Sequence, residues 1–240
     1  MFVATDRKYW GSCGEERLAT KETAVGVARG NRTGGQAIDF CWDGVYFIVD
    51  HYYIVWTDNR TGDLDVYGQR LTYNGYCQWG AGGMPICNLV GAQQTPKIIF
   101  EMSEGYSIFY PFTAGMFVVW DDYRYGNADI YAQHINYTGA VNWQPNGTAI
   151  CSAAGDQHIL GLEWYPAPYF TIHTQAFLVW SDERAGNLDI YGQLIDYQGV
   201  FYWNATGFEM CTAAGGQRPT DLAIDQQLGK IGRASCRERV

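Results

Sequence analysis

Charged residues make up only 17% of this 240-residue chain, and basic ones are the scarcer, with 16 Lys and Arg against 25 Asp and Glu. That balance argues against nucleic acid and anionic membrane surfaces as partners, because both recruit clustered positive charge. Long apolar runs are missing as well. No segment reaches the roughly 18 residues of a membrane-spanning helix, and residues 1–34 have no apolar core of the signal-peptide kind. No CxxC pair is present, which removes the common zinc and dithiol motifs. The histidines His51, His134, His158 and His173 follow no metal-ligand spacing, and no Ser-His-Asp order can be assembled around them. Acid pairs are too frequent to single out a hydrolytic dyad. The expectation is a chain with no catalytic residues, no metal and no cofactor.

What is plentiful points elsewhere. Gly (29), Tyr (18) and Trp (9) combine turn formers with β-favouring aromatics, and 47% hydrophobic residues suffice for a substantial core. The class expected is all-β, with many short strands. Residues 231–240 (IGRASCRERV) look like a translated sequencing adapter and are set aside as a non-native tail. Without Arg233, Arg237, Arg239 and Glu238 the remainder has 13 basic and 24 acidic residues, a net charge of −11. The tail leads to the expectation of a fragment truncated near Lys230, with the native protein continuing beyond it. Six cysteines remain: Cys13, Cys41, Cys77, Cys87, Cys151 and Cys211.

The dominant signal is an internal repeat. Residues 56–93, 120–157 and 180–217 align without a gap, and 14 of the 38 columns are identical in all three. Each copy opens on an apolar run ending at Trp56, Trp120 or Trp180. A turn with Gly62, Gly126 or Gly186 follows, at a position expected to need positive φ. Residues 64–71, 128–135 and 188–195 alternate apolar and polar side chains as a half-buried strand would. A further strand is expected around Trp79, Trp143 and Trp203, and another ending near Cys87, Cys151 and Cys211. The segments after Gln93, Gln157 and Gln217 supply more strand. The expected organisation is a degraded partial unit at 1–36, complete units at 37–93, 94–157 and 158–217, and the first strand of another at 218–230.

The motif W-x-D-x-R-x-G-x-x-D-[IV]-Y-x-Q resembles the blade signature of bacterial extracellular β-propeller repeat proteins, and it is similar to TolB-like propeller repeats. The resemblance implies tandem blades of four antiparallel strands, a fragment of a larger propeller whose neighbouring blades are missing here. It implies a location outside the cell, on the cell surface or in the periplasm.

Trp56, Asp58, Arg60, Gly62, Asp65 and Tyr67 recur as Trp120, Asp122, Arg124, Gly126, Asp129 and Tyr131, and as Trp180, Asp182, Arg184, Gly186, Asp189 and Tyr191. Residues that recur in every unit serve the unit, so the Arg is expected to bridge its two carboxylates and stack on the Trp, pinning the turn. Calcium is the alternative for this acidic loop, but the central Arg opposes it. The Tyr and Trp columns fit inter-blade packing, with sugar stacking as the alternative. Cys87, Cys151 and Cys211 read as small buried hydrophobes, and a disulfide through Cys41 or Cys77 stays open.

Recognition is expected in what does not repeat. The connections 102–116 and 163–175 are rich in aromatics, which makes Tyr106, Phe109, Tyr110, Phe112, Trp164, Tyr165, Tyr169 and Phe170 the candidate ligand-binding residues. Long strands with ordinary buried aromatics are the competing reading. The functional expectation is a non-catalytic binding or scaffold module for carbohydrate or protein. A propeller accessory to a hydrolase or glycosidase and a structural adhesin or envelope component are the alternatives.

Overall fold

The computed structural model describes residues 38–45, 48–72, 74–101, 115–165, 175–217, 224–225 and 230–231. Among them there is no helix. Strands β1 (Ile38–Val45), β2 (Ile48–Asp58), β3 (Asp65–Thr72) and β4 (Met84–Cys87) form a first sheet. A second contains β5 (Gln93–Phe100), β6 (Gly115–Asp122), β7 (Asp129–Asn136) and β8 (Thr148–Cys151), and a third β9 (Gln157–Tyr165), β10 (Gln175–Asp182), β11 (Asp189–Asp196) and β12 (Phe208–Cys211). In each, neighbours in the chain are neighbours in the sheet and every ladder is antiparallel. A short pair, β13 (Ile224–Asp225) and β14 (Lys230–Ile231), stands apart from these sheets in the pairing.

The period-2 alternation of β6 explains how the sheets pack. Met116, Val118 and Trp120 point to one face and join Tyr53, Val55, Val66, Ile86 and Cys87 of the first sheet. Phe117 and Val119 point to the other and join Leu178, Trp180 and Tyr191 of the third. The middle sheet is thus sandwiched, and all eight residues of β6 are buried. The same covering corrects the half-buried reading of 128–135: β7 is buried at seven of its eight positions. Its polar residues Asp129, Gln133 and His134 lie inside, and each is hydrogen-bonded.

The strand expected around Trp79, Trp143 and Trp203 does not form. Beyond β3, β7 and β11 there is only an isolated bridge, Leu71 to Cys77, Ile135 to Val141 and Ile195 to Phe201. A buried glutamine takes the place of the ladder. Gln133 Oε1 accepts from the backbone N–H of Trp143 (3.1 Å) and of His134 (3.0 Å), while its Nε2 donates to Gln144 O (2.7 Å). Gln69 and Gln193 make the same three bonds in their sheets. An amide supplies both a donor and an acceptor, so one side chain satisfies a stretch of backbone that has left the sheet.

The antiparallel order places two kinds of connection at opposite ends. One end carries the turns 59–64, 123–128 and 183–188, where Gly62, Gly126 and Gly186 adopt φ of 116°, 107° and 89°. At the other, Val45 pairs with Ile48, Phe100 with Met116 and Tyr165 with Gln175. The expected partial unit at 1–36 and residues 218–223 lie outside the described residues.

Candidate functional site

At the turn end, each sheet builds the same corner. The register sets Trp120 directly opposite Tyr131, as it does Trp56 with Tyr67 and Trp180 with Tyr191. The two rings stack at 6.3–6.4 Å between centroids. The next side chain in the stack is the arginine: Arg60, Arg124 and Arg184 lie 4.1, 3.9 and 4.0 Å from the centres of the tyrosine rings. The guanidinium therefore lies on Tyr, not on Trp as the sequence reading had it.

The carboxylates also divide differently. Asp122 accepts from Trp120 Nε1 (2.8 Å), from Arg124 N (3.0 Å) and Nε (2.9 Å), and from Arg124 Nη2 (2.6 Å). Arg124 Nη2 also donates to Asn146 O at 2.8 Å, closing the corner onto the loop before β8. Asp182 and Arg184 repeat these bonds. The second carboxylate is not bridged by the arginine: Asp65 is held by Thr61, Asp129 by Asn127 and Asp189 by Asn187. Burial pushes the Asp182 carboxyl up, but the bonds from Arg184 and Trp180 outweigh it and leave the group below its ordinary value. Asp65 and Asp129, without an arginine, are raised by burial.

The corners also meet the preceding sheet. Cys87 Sγ lies 3.9 Å from Asp122 Oδ2 and receives Arg124 Nη2 at 3.4 Å. Cys151 stands likewise to Asp182 (3.8 Å) and Arg184 (3.1 Å). Burial raises these thiols, to about 12 for Cys87 and about 11 for Cys151, so neither is a nucleophile at neutral pH. Cys87, Cys151 and Cys211 are free, whereas Cys77 is disulfide-bonded. The side chains of Cys13 and Cys41 lie outside the described ones.

A second contact between sheets involves Asp121, whose carboxylate accepts from Ile159 N (2.8 Å) and pairs with His158 Nδ1 (3.1 Å). That hydrogen bond holds the His158 pKa above its ordinary 6.5, against the opposing effect of burial and with added attraction from Asp121, Asp156 and Glu183. A raised folded pKa adds stability that is fully present below the unfolded value and is lost as pH rises through the folded one. The melting temperature of wild type should therefore exceed that of His158→Asn most near pH ~6, the gap closing toward pH ~8. A gap that widens with rising pH would show that the pair does not work this way.

At the opposite end the three sheets differ. Arg70, His134 and Leu194 occupy one column of the repeat. Arg70 pairs with His51 at 3.0 Å in the first sheet. In the second, His134 Nε2 meets Glu101 Oε2 at 2.8 Å, and the same oxygen accepts from Gly115 N at 3.0 Å. Asn142 Nδ2 is 2.7 Å from His134 Nδ1, so with the proton on Nε2 the ring donates to Glu101 and accepts from Asn142. Both Glu101 and His134 are buried, the ring packing on Phe117 and Trp143 and edge-on to Tyr197 of the third sheet. In the third sheet, apolar Leu194 packs with Tyr165 in a cluster with Phe177 and Trp203. Sequence reasoning missed Glu101 and Asn142. The one signal available was the Arg, His, Leu variation directly after the invariant Gln column.

Of the candidate ligand-binding residues, Tyr106, Phe109, Tyr110, Phe112, Tyr169 and Phe170 lie outside the described residues. Trp164 belongs to β9 and pairs with Ala176, its side chain lying outside the described ones. Tyr165 is half-buried against the cluster of Phe177, Val179, Ile190 and Leu194. Among the described residues, no group of three or more His, Cys, Asp or Glu side chains could hold a metal ion, and no helix is long and apolar enough to cross a membrane. Comparison with protein-family models, with curated proteins and with solved structures finds no match for this chain.

Proposed function

We propose that the chain is a β-propeller-type module, secreted or displayed on a bacterial surface, that binds carbohydrate or protein and carries no catalysis of its own. Four-stranded antiparallel sheets in chain order, packed face to face through recurring contacts, support blades as their architecture. The disulfide at Cys77 supports an oxidising compartment.

A contrast between the two ends of the sheets carries the binding reading. At the turn end, the Trp, Asp, Arg and Tyr of every sheet are occupied with one another. At the other end the same column holds Arg70, His134 or Leu194 in three different settings, and the aromatic segments 102–114 and 166–174 follow β5 and β9 in the sequence. A column that varies inside a frame whose turns repeat at both ends is the part left for recognition.

The test is a glycan microarray run in parallel with bead capture from a bacterial surface-protein fraction. Specific capture is expected, with at least a tenfold loss, about 1.4 kcal/mol, when Tyr106, Phe109, Tyr110 and Phe112 are all replaced by Ala and the circular dichroism is unchanged. Retention of no glycan and no protein, or capture unaffected by these four substitutions, would overturn the proposal.

A further inference from the structure

Seven cysteines occur in the chain. Cys77 is disulfide-bonded while Cys87, Cys151 and Cys211 are free, which leaves Cys13, Cys41 and Cys236 as candidates for its partner. The first sheet rules out Cys41. Trp42 pairs with Tyr52, Tyr52 with Leu71 and Leu71 with Cys77, so Cys77 and the neighbour of Cys41 stand at opposite ends of one row. Three strand spacings of about 4.8 Å put them roughly 14 Å apart. A disulfide needs Cα atoms within about 7 Å, and β1 cannot approach Cys77 with β2 and β3 in between.

Cys77 also has a direction. It packs with Ile54, Trp56, Tyr67 and Leu71. Their counterparts in the third sheet are Leu178, Trp180, Tyr191 and Ile195, which face the second sheet and gather Phe201, the residue in the Cys77 column. In the second sheet the same columns, Val118, Trp120, Tyr131 and Ile135, face the first. Cys77 therefore belongs to the face that each later sheet turns toward the unit before it.

In the sequence, the unit before the first sheet is the partial repeat at 1–36. Gly26, Gly34, Gly35 and Gln36 match Gly207, Gly215, Gly216 and Gln217, and the same alignment carried back without a gap sets Gly11 on Gly192 and Cys13 on Leu194. Cys13 thus shares the column of Arg70 and His134. Where a described sheet follows, that column reaches the turn after the third strand of the next sheet. Arg70 Cζ lies 5.9 Å from the centre of the Tyr137 ring, and the His134 ring meets Tyr197 edge-on at 6.4 Å. In the first sheet the corresponding turn ends at Cys77, where the chain rejoins β3 through the bridge to Leu71. Cys236 has no such register and falls in the adapter-like segment 231–240.

We propose that the partner of Cys77 is Cys13, so that a covalent bond joins the partial unit to the first sheet where Arg70 with Tyr137 and His134 with Tyr197 join the later sheets. The two thiols pass two electrons and two protons to a disulfide of the surrounding thiol pool. One thiolate displaces a thiol from that disulfide to give a mixed disulfide, and the other then displaces the second thiol and closes the bond. The link is independent of any ligand.

Peptide mapping of the whole chain tests this, after equilibration with reduced and oxidised glutathione and alkylation of free thiols in denaturant. The buffer sets the redox state, so the result does not depend on where the protein is located. Chymotrypsin added to trypsin cuts after Trp79 and separates Cys77 from Cys87. The Cys13 peptide is expected to be joined to the Cys77 peptide, with Cys87, Cys151 and Cys211 alkylated. The link should persist in Cys41→Ser and in Cys236→Ser and be lost in Cys13→Ser. Dithiothreitol should lower the urea midpoint of wild type and leave that of Cys13→Ser unchanged, because only wild type has the cross-link to lose. Cys77 found alkylated, or joined to Cys41, to Cys236, to glutathione or to a second chain, would overturn the proposal, as would a wild-type midpoint indifferent to reduction.

Discussion

Asp122→Ala is expected to lose about 3–5 kcal/mol of stability, the range for removing one partner of a buried pair. Asp58→Ala, the same substitution in the same motif, should lose under about 1 kcal/mol after allowance for solvent screening. Asp122 is fully buried and receives Trp120 Nε1 and three bonds from Arg124, whose side chain is 11% exposed. Taking the carboxylate away leaves a guanidinium between two packed sheets without its hydrogen-bonded carboxylate. The Asp58 side chain is 14% exposed and its Arg60 partner 41%, so water replaces much of what is lost there. Urea unfolding followed by tryptophan fluorescence measures both. Equal losses would mean that the corner acts only within its own sheet and that the covering by Cys87 adds nothing.

Gly147→Ala is the second large effect. Gly147 has φ of +92°, and a Cβ there would sit 2.5 Å from both Cζ2 and Cη2 of the fully buried Trp120. Gly186 is the control, with φ of +89° and nothing within 4 Å of its would-be Cβ. Backbone strain is therefore similar at the two positions, roughly 1–2 kcal/mol. The difference isolates the displacement of an indole that cannot move without disturbing the stack of Tyr131 and Arg124, and it should be about 1–3 kcal/mol. The same urea experiment reads it, with loss of the Trp120 contribution to near-UV circular dichroism in Gly147→Ala alone. Matching losses in the two variants would sink the claim that Trp120 is held by close packing.

Much of the sheet layout was legible because the chain states it three times. Trp, Asp, Arg, Gly, Tyr and Gln recur at constant spacing since each corner has to satisfy the same turn, and β4, β8 and β12 do end at the cysteine column. The errors have a common origin in contacts that adjacency along the chain does not reveal. Arg was expected on Trp, yet the register of β2 with β3 places Tyr67 opposite Trp56, and the guanidinium settles on the tyrosine. The segment at Trp143 has the composition of a strand, but Gln133 occupies the hydrogen bonds that a partner strand would have taken.

The candidate sites show the same division. Glu101 and His134 are 33 positions apart in the chain, and no spacing rule pairs them; they meet because β5, β6 and β7 bring Gly115 beside both. The cysteines at 87, 151 and 211 are interchangeable as letters, and only the neighbouring sheet makes the first two buried and the third half-open.

By itself, then, the sequence determined an all-β chain of repeated units and the residues that build each corner, since local turn chemistry and period-2 patterning are written along one strand at a time. Which faces are covered, which arginine is sealed from water and which polar side chains meet across the sheets was decided by tertiary structure alone, because burial and register belong to pairs of segments and not to either segment.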